Sequence, residues 1–475
     1  MFTDQEIDCN RCDAMRKISH EFRDPIHTFI HAYDEERAVI DSVPVQRLRH
    51  IHQLAMTFLV YPGATHRRFE HSLGVMDLAG RVYDIVTHPD NLHPGVRDLF
   101  PELRDDSVRL YWRRVVRMAA LCHDIGHLPF SHAAERELLP EGWSHERMTV
   151  ELILSPQMKG LFENMTPPLK AVDVAKIAVG KECMPDESFS DLEAVLSEII
   201  VGEAFGVDRM DYLLRDSLHT GVAYGRFDHS RLIDTLRVLP PPASATGQGS
   251  TEPHLGVEEG GLRSAEALLL ARYFMYSQVY FHPVRRAYDI HLKDFILDWL
   301  SERKFPTAVD EFLKTTDSQI IAALWEAAND RHANGYDSAR RIAKRDHFKV
   351  LWERNPEDLK VNPEAGELIL RAAQDKFGYD AVRRDAYAPK TPLIDFPVLQ
   401  RDGRIASAQE LSEVIAKVPT AAFDYVFIDG RLLTAAKDWL EKNRSDILGK
   451  TGQGDDDEER RTTGRTTNAA PSDEE

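Results

Sequence analysis

An adjacent histidine and aspartate, His123 and Asp124, are the residues of this sequence that most clearly suggest metal binding. Imidazole nitrogens and carboxylate oxygens both coordinate divalent cations. Two more histidines, His127 and His132, follow in a stretch that also contains Gly126 and a proline. This concentration of potential ligands around turn-forming residues predicts a metal centre.

The pair is predicted to lie at the C-terminal end of a helix. Val115, Met118, Ala119 and Cys122 recur at helical spacing before it. Gly126 then follows as a typical helix-terminating residue. At such a helix end, the imidazole and the carboxylate can both turn toward one ion.

A metal ion needs more ligands than two, and candidates lie in two other predicted helices. His71 falls in the first turn of a helix predicted at about residues 70–87. Asp208, Tyr212 and Asp216 stand at positions i, i+4 and i+8 of another helix, so they share one face. Burying such polar groups is costly unless they contact a metal, a ligand or a hydrogen-bond partner.

In order and local context, His71, His123, Asp124 and Asp208 match the metal-ligand set of the HD-domain metallohydrolases. Within that superfamily, the sequence resembles the deoxynucleoside triphosphate (dNTP) triphosphohydrolases. It is most similar to the vertebrate enzymes that combine a sterile alpha motif with an HD domain, and to their bacterial relatives. The likeness covers roughly residues 20–295, and no sterile alpha motif is expected before it.

The resemblance implies one divalent metal, which the mixed nitrogen and oxygen ligand set leaves open among iron, manganese, zinc and magnesium. Magnesium is a further expectation with the bound nucleotide. His145 is implied as the proton donor to the leaving 5′-oxygen, with Glu146 holding its orientation. His127, His132 and Glu135 are implied to contact phosphates or metal ligands.

The resemblance also assigns positively charged and phenolic side chains to the triphosphate. Arg68, Arg209 and Tyr212 are implied to bind it, and Arg285 supplies further local positive charge. Arg209 stands where the vertebrate enzyme has a lysine, which keeps the charge and changes its geometry.

Four other residues are implied to recognise the sugar. Gln53 and Asp216 would contact the 3′-hydroxyl, whereas Leu54 and Tyr288 would crowd the 2′ position and reject ribose. The implied reaction is attack of metal-activated water on the α-phosphorus of a dNTP, which releases a deoxynucleoside and intact triphosphate. This activity would control dNTP pools.

Two alternative functions are also compatible with the sequence. One is an HD-type phosphohydrolase that acts on another nucleotide or on a nucleic-acid end, because the metal-ligand set alone allows it. The other is a non-enzymatic nucleotide-binding regulator, which would be expected to lack a ligand or the proton donor. The residues outside the ligand set favour triphosphate hydrolysis.

Regulation by guanine nucleotides is a further implication of the resemblance. Asp41, Gln46 and Arg49 match the family's guanine-reading residues, and the latter two share one side of a helix that Ser42 is predicted to cap. This predicts a homo-oligomer, a tetramer or a dimer, whose activity rises with GTP or dGTP.

The composition sets outer limits. The 475-residue chain carries a formal net charge of −19, which argues against a non-specific nucleic-acid-binding surface. Its apolar runs are too short to span a bilayer, and a cytoplasmic location is expected.

The predicted fold is mainly α-helical, with a metal-centred helical domain, a small β-hairpin and a mixed C-terminal lobe. We predict a weakly ordered N terminus over residues 1–20 and an HD-type phosphohydrolase domain over 21–330, with its metal-binding core at about 45–220. An accessory or oligomerisation lobe would cover 331–450, and a disordered acidic tail 451–475. Residues 168–190 are predicted to be less regular, and residues 305–330 to be helical.

Overall fold

A computed structural model describes residues 20–130, 135–242, 252–388 and 394–449. The predictions for residues 1–19 and for the acidic tail lie outside these ranges. The strands are β1 (His20–Asp24), β2 (Thr28–Ala32), β3 (Leu236–Leu239), β4 (His254–Glu258), β5 (Lys349–Glu353), β6 (Val382–Tyr387), β7 (Pro397–Leu399), β8 (Ile405–Ser407) and β9 (Phe423–Ile428).

The helices, which dominate the fold as predicted, are α1 (Asp34–Ile40), α2 (Val43–Arg47), α3 (Arg68–Val86), α4 (Pro94–Arg97), α5 (Asp106–Cys122), α6 (Glu135–Leu138), α7 (His145–Ile153), α8 (Pro156–Glu163), α9 (Ala171–Val179), α10 (Asp191–Val201), α11 (Val207–Thr220), α12 (His229–Asp234), α13 (Leu262–Met275), α14 (Pro283–Trp299), α15 (Val309–Phe312), α16 (Asp317–Ala327), α17 (Tyr336–Ala343), α18 (Pro356–Val361), α19 (Ala365–Phe377), α20 (Ala408–Leu411), α21 (Glu413–Lys417) and α22 (Leu433–Leu448).

The chain divides into two compact units. Unit 1 takes the described residues up to 346 together with 394–421, and unit 2 takes 347–388 with 422–449. The boundary that we predicted at residue 330 therefore falls inside unit 1. The reason is that α17 packs on α14, and that β7 and β8 join the sheet of β3 and β4 in the order β3-β4-β7-β8.

Three helices of unit 1 position the predicted metal ligands. Helix α3 packs against both α5 and α11, and its buried apolar residues belong to the main apolar core. The first turn of α3 is closed by Glu70, whose carboxylate accepts the backbone N–H of Arg67 at 2.9 Å. Helix α11 ends at Gly221, which has φ 77° in the left-handed region that glycine tolerates.

The predicted hairpin is confirmed as the antiparallel pair β3 and β4, which aligns Leu236 with Val257 and Leu239 with His254. Two regions differ in detail from the prediction. Residues 171–179 form α9, whose apolar residues pack on α5, although the breakers around them suggested irregular structure. Residues 305–330 form two helices, α15 and α16, because Thr316 caps a new helix.

Unit 2 contains a three-stranded antiparallel sheet in the order β5-β9-β6, with β9 at its centre. Helices α19 and α22 pack with this sheet around a separate apolar cluster that includes Trp352, Ile369 and Val426. None of the described helices is both long enough and apolar enough to span a bilayer.

Candidate metal centre

Three of the four predicted metal ligands converge in unit 1. One potential ligand atom from each of His71, His123 and Asp208 lies within 4.8 Å of the other two. His71 comes from the first turn of α3, His123 directly follows α5, and Asp208 lies in the first turn of α11. Residues far apart in sequence therefore meet where these helices pack together.

The protonation pattern of His123 fits a cation at this point. Its Nδ1 lies 2.7 Å from the carbonyl oxygen of Ala120, which can only accept, so Nδ1 carries a proton and the neutral ring presents a lone pair at Nε2. That Nε2 is buried and makes no hydrogen bond to any described residue, while carboxylate oxygens of Asp124 and Asp208 lie 3.3 and 3.5 Å away. A lone pair and two carboxylates are all electron-rich, so a cation between them would be stabilised by all three groups.

The fourth predicted ligand, Asp124, borders the cluster and also contacts two other predicted site residues. Its Oδ2 accepts from Arg68 Nη1 at 2.5 Å, and its Oδ1 lies 3.1 Å from His127 Nε2. Burial alone would raise the pKa of Asp124, but His123, His127 and Arg68 hold that pKa well below its usual value. Asp124 is therefore ionised and available to a metal at neutral pH.

A second carboxylate, Asp211, which was not among the predicted site residues, fixes the orientation of His71. Its Oδ2 lies 2.8 Å from His71 Nδ1, and its Oδ1 lies 2.7 Å from His27 Nε2. Arg215, one helical turn later, donates to both oxygens and to Asp24. Burial would raise the pKa of Asp211, yet Arg215 and the two histidines keep it well below its ordinary range. Such outer contacts orient metal-binding imidazoles.

The sequence did contain a signal for this network. Asp211 and Arg215 stand four residues apart and share the buried side of α11 with Val207 and Leu214. An oppositely charged pair on an otherwise apolar helix face indicates a buried polar network rather than a solvated one.

The predicted proton donor lies next to the cluster. The ring of His145 stacks on that of His127, with centroids 4.1 Å apart and planes inclined by 15°. His145 Nε2 lies 3.3 Å from Glu146 Oε1. Burial, Arg68 and His145 lower the pKa of His127 well below its usual value, so its ring is neutral.

His132 lies outside the described residues. Glu135 opens α6, and its side chain is likewise outside the described part of the chain.

Gln53 and Asp216 are the two residues predicted to contact the sugar 3′-hydroxyl. The Oε1 of Gln53 is buried and accepts no hydrogen bond from the described residues, so it is available to a donor on a ligand. Both oxygens of Asp216 are engaged, one 2.7 Å from His66 Nε2 and the other accepting from the Tyr280 hydroxyl at 2.7 Å. Any ligand contact of Asp216 therefore uses a second lone pair.

The two residues predicted to crowd the 2′ position are both buried. Leu54 keeps 8% of its surface exposed, whereas Tyr288 has none. Leu54 can therefore line a cavity directly, whereas Tyr288 has no exposed surface to offer to one.

The two arginines that were expected to add charge at the triphosphate bind protein groups in this structure. Arg209 donates to the carbonyl of Gly202 and pairs with Glu203 at 3.0 Å. Arg285 donates to Thr57 Oγ1 at 3.0 Å and to the carbonyl of Tyr280. Arg68 is thus the predicted phosphate ligand that lies beside the metal cluster.

Tyr212, the other residue predicted to bind the triphosphate, packs edge-on against Tyr280, with ring centroids 6.1 Å apart.

The three predicted effector-binding residues lie around α2. Gln46 donates to the carbonyl of Ile40 at 2.9 Å and accepts from Arg49 Nε at 2.9 Å, so these two do share one side of the chain. The Arg49 guanidinium also lies 3.5 Å from the ring centroid of Phe69. Asp41 accepts from Arg37 at 2.6 Å.

Comparison with known proteins places these residues in a family context. The family described as HD domain matches residues 68–157, and the family described as HD associated region matches residues 227–373. The first range contains His71, His123 and Asp124, while Asp208 lies between the two ranges.

A crystal structure of a hypothetical protein from Aquifex aeolicus has a TM-score of 0.70 to this chain at 33% identity, and covers 90% of this chain and 100% of that one. A phosphohydrolase from Bacteroides thetaiotaomicron gives a TM-score of 0.63 at 25% identity, over 88% of this chain and 100% of that one. The mouse deoxynucleoside triphosphate triphosphohydrolase SAMHD1 is 27% identical over 402 residues, which cover 77% of this chain and 58% of that protein.

Proposed function

We propose that this chain, which belongs to the family of HD-domain proteins with an HD-associated region, hydrolyses dNTPs to deoxynucleosides and triphosphate. The observation that carries the proposal is the convergence of His71, His123 and Asp208, bordered by Asp124 with its Arg68 contact. The similarity to SAMHD1 supports the choice of substrate. At 27% identity, that choice is our inference from the site.

A divalent ion held by His71, His123, Asp124 and Asp208 would supply Lewis-acid activation of water and of the α-phosphate. Arg68 is buried beside Asp124 and would place its guanidinium against a phosphate oxygen. The planar, positively charged guanidinium favours a phosphate group over a neutral ligand.

His145 would protonate the leaving 5′-oxygen, since an alkoxide is a poor leaving group. Glu146, 3.3 Å away, would hold the imidazole in place, and the neutral His127 ring would support it by stacking. A positioned general acid of this kind contributes about 10²–10⁴-fold to a rate.

A buried Gln53 oxygen to which none of the described residues donates supports recognition of a sugar hydroxyl, and the adjacent apolar residue Leu54 supports exclusion of a 2′-hydroxyl. A polar group left unpaired by the wrong ligand discriminates strongly between substrates. Because ribose and deoxyribose both carry the 3′-hydroxyl, the preference for deoxynucleotides over ribonucleotides rests on Leu54.

Chromatographic product analysis with a panel of dNTPs, NTPs and nucleoside monophosphates tests the proposal. We expect deoxynucleoside and triphosphate in equal amounts from dNTPs, and no product from the Asp208→Ala variant. Monophosphate hydrolysis would instead support a nucleotidase, and nucleotide binding without turnover would support a regulator. A substitution of the exposed Glu151 on α7, Glu151→Gln, is the matched control.

We further propose that guanine nucleotides act at Asp41, Gln46 and Arg49 and promote a homo-oligomer. Asp41 forms an ion pair with Arg37 that is solvent-exposed and weak. When this pair opens, the Asp41 carboxylate can accept a hydrogen bond from a guanine N1–H. Sedimentation with and without GTP, beside an activity assay, tests this. Unchanged mass and activity, together with an indifferent Asp41→Ala variant, would contradict it.

A further inference from the structure

One buried carboxylate, Asp317, joins two segments that border the metal centre. It is the first residue of α16 and is 1% exposed. Its Oδ2 accepts the backbone N–H of His52 at 2.7 Å and lies 2.6 Å from His52 Nδ1. Its Oδ1 accepts the backbone N–H of Phe130 at 2.9 Å. Both oxygens are therefore used to fix main-chain atoms.

Each of these contacts reaches a segment with a proposed role at the substrate. His52 directly precedes Gln53, and Phe130 follows His127 by three residues. Phe130 has φ 51°, a left-handed conformation that is unfavourable for a bulky side chain. A hydrogen bond to its N–H from a fixed carboxylate helps to hold that conformation.

The side chain of His52 links the same two segments a second time. Its ring stacks on Phe130 with centroids 5.7 Å apart and planes inclined by 11°, and on Phe58 at 5.2 Å and 29°. Because Asp317 fixes Nδ1, the imidazole keeps one orientation between the two aromatic rings. A shift of Asp317 would therefore move both segments.

A buried cation makes a parallel connection. Arg47 donates from Nη1 to the carbonyl of His127 at 2.9 Å and from Nε to the carbonyl of Thr315 at 2.9 Å. Its guanidinium also lies 4.4 Å from the ring centroid of Phe312. The first residue of α16 and the residues just before it are thus connected to the segment 127–130 by two charged side chains of opposite sign.

We propose that Asp317 is a positioning residue that holds the Gln53–Leu54 segment and the His127–Phe130 segment in register, and thereby sets the preference for deoxyribose over ribose. The part that concerns the sugar rests on the proposed function. Misplacing a contact group by about 1 Å costs roughly 100-fold in rate, so a small movement of Leu54 is enough to change discrimination.

The test compares Asp317→Asn with Asp173→Asn. Asparagine keeps the size of Asp317 but turns one acceptor into a donor that faces an N–H. Asp173 is a matched control because it is also a buried carboxylate, near the start of α9, and accepts from the Tyr111 hydroxyl at 2.5 Å. Tyr111 lies twelve residues before His123 on α5, about 18 Å along the helix.

Two readouts are measured, hydrogen–deuterium exchange and the ratio of kcat/KM for dATP to that for ATP. For Asp317→Asn we expect faster exchange in peptides 48–58 and 124–130, a ratio lowered at least about tenfold, and unchanged metal content. Asp173→Asn should change neither the ratio nor the exchange of those two peptides.

A second variant guards against failure of Asp317→Asn to fold. His52→Phe keeps an aromatic ring between Phe58 and Phe130 and keeps the main-chain hydrogen bonds, but removes the Nδ1 contact. We expect a smaller change in the same direction.

Unchanged exchange in both peptides would overturn the positioning role of Asp317, and an unchanged ratio with altered exchange would overturn its role in sugar selection. If the wild-type protein hydrolyses no dNTP, the proposed function fails. The sugar part of the inference then fails with it, and the exchange data still decide whether Asp317 holds the two segments.

Discussion

The Nδ1 of His71 lies 2.8 Å from Oδ2 of Asp211, and this contact directs the opposite ring nitrogen toward Asp208 at 3.1 Å. Burial would lower the pKa of His71, but Asp208, Asp211 and Asp124 raise it to about 10. The pocket thus stabilises positive charge on or beside this ring. A divalent metal supplies that charge more strongly than a proton does.

Asp211→Asn should weaken metal binding about 10–100-fold, because the amide holds the His71 ring less firmly and no longer supports its basicity. Isothermal titration calorimetry with the divalent metal measures the change in affinity. The variant also loses part of its ion pair with Arg215, so the unfolding free energy is measured in parallel. Full metal affinity in a destabilised Asp211→Asn protein would restrict Asp211 to a structural role.

The stability of unit 1 should depend on pH through Glu36. Arg117 donates to both carboxylate oxygens, at 2.7 and 2.8 Å. Burial would raise the pKa of Glu36, but Arg117 lowers it below the ordinary value of 4.5. Since the folded-state pKa lies below the unfolded value, the stabilisation is fully present above about pH 4.5 and is lost as the pH falls through the folded-state pKa.

Glu36→Gln leaves the Arg117 charge buried and unpaired, which typically costs about 3–5 kcal/mol at neutral pH. Urea unfolding at a series of pH values should show this difference shrinking as the pH falls below about 4.5. The exposed Glu151→Gln variant is the control. A difference that stays constant from pH 7 to pH 3 would show that the charge of Glu36 does not stabilise the fold.

Leu54→Ala should relax the selection against ribonucleotides. Removing a side chain from the proposed cavity wall makes space for a 2′-hydroxyl, and such changes alter discrimination by about 1–3 kcal/mol. We expect the ratio of kcat/KM for dATP to that for ATP to fall about tenfold or more, mainly because ATP turnover rises. An unchanged ratio would remove Leu54 from the sugar-binding wall.

The helical period and the turn residues were sufficient to predict the mainly helical fold and the hairpin of β3 and β4. The meeting of His71, His123 and Asp208, which lie far apart in the sequence, was predicted from the resemblance to the HD-domain metallohydrolases. The helix α9 was missed because its context contains many breakers, although its own residues are apolar and pack on α5.

Long-range polar contacts could not be predicted in this way. Asp211 meets His27 across 184 positions, and Asp317 meets His52 across 265. The Arg209 side chain is long and flexible, so its guanidinium can reach either a ligand or a nearby carbonyl oxygen. The tertiary structure, in which it donates to the carbonyl of Gly202, determines which of the two it contacts. The roles of the predicted catalytic and substrate-binding residues remain predictions that activity measurements can decide.

Hydrolysis in oxygen-18-labelled water tests the central proposal most directly, because it identifies the atom that water attacks. With dGTP or dATP and the metal-loaded protein, we predict one labelled oxygen in the released triphosphate and none in the deoxynucleoside, as attack at the α-phosphorus requires. Mass spectrometry of both products measures the label. Label in the deoxynucleoside, or release of orthophosphate or pyrophosphate as the first product, would contradict the proposed reaction.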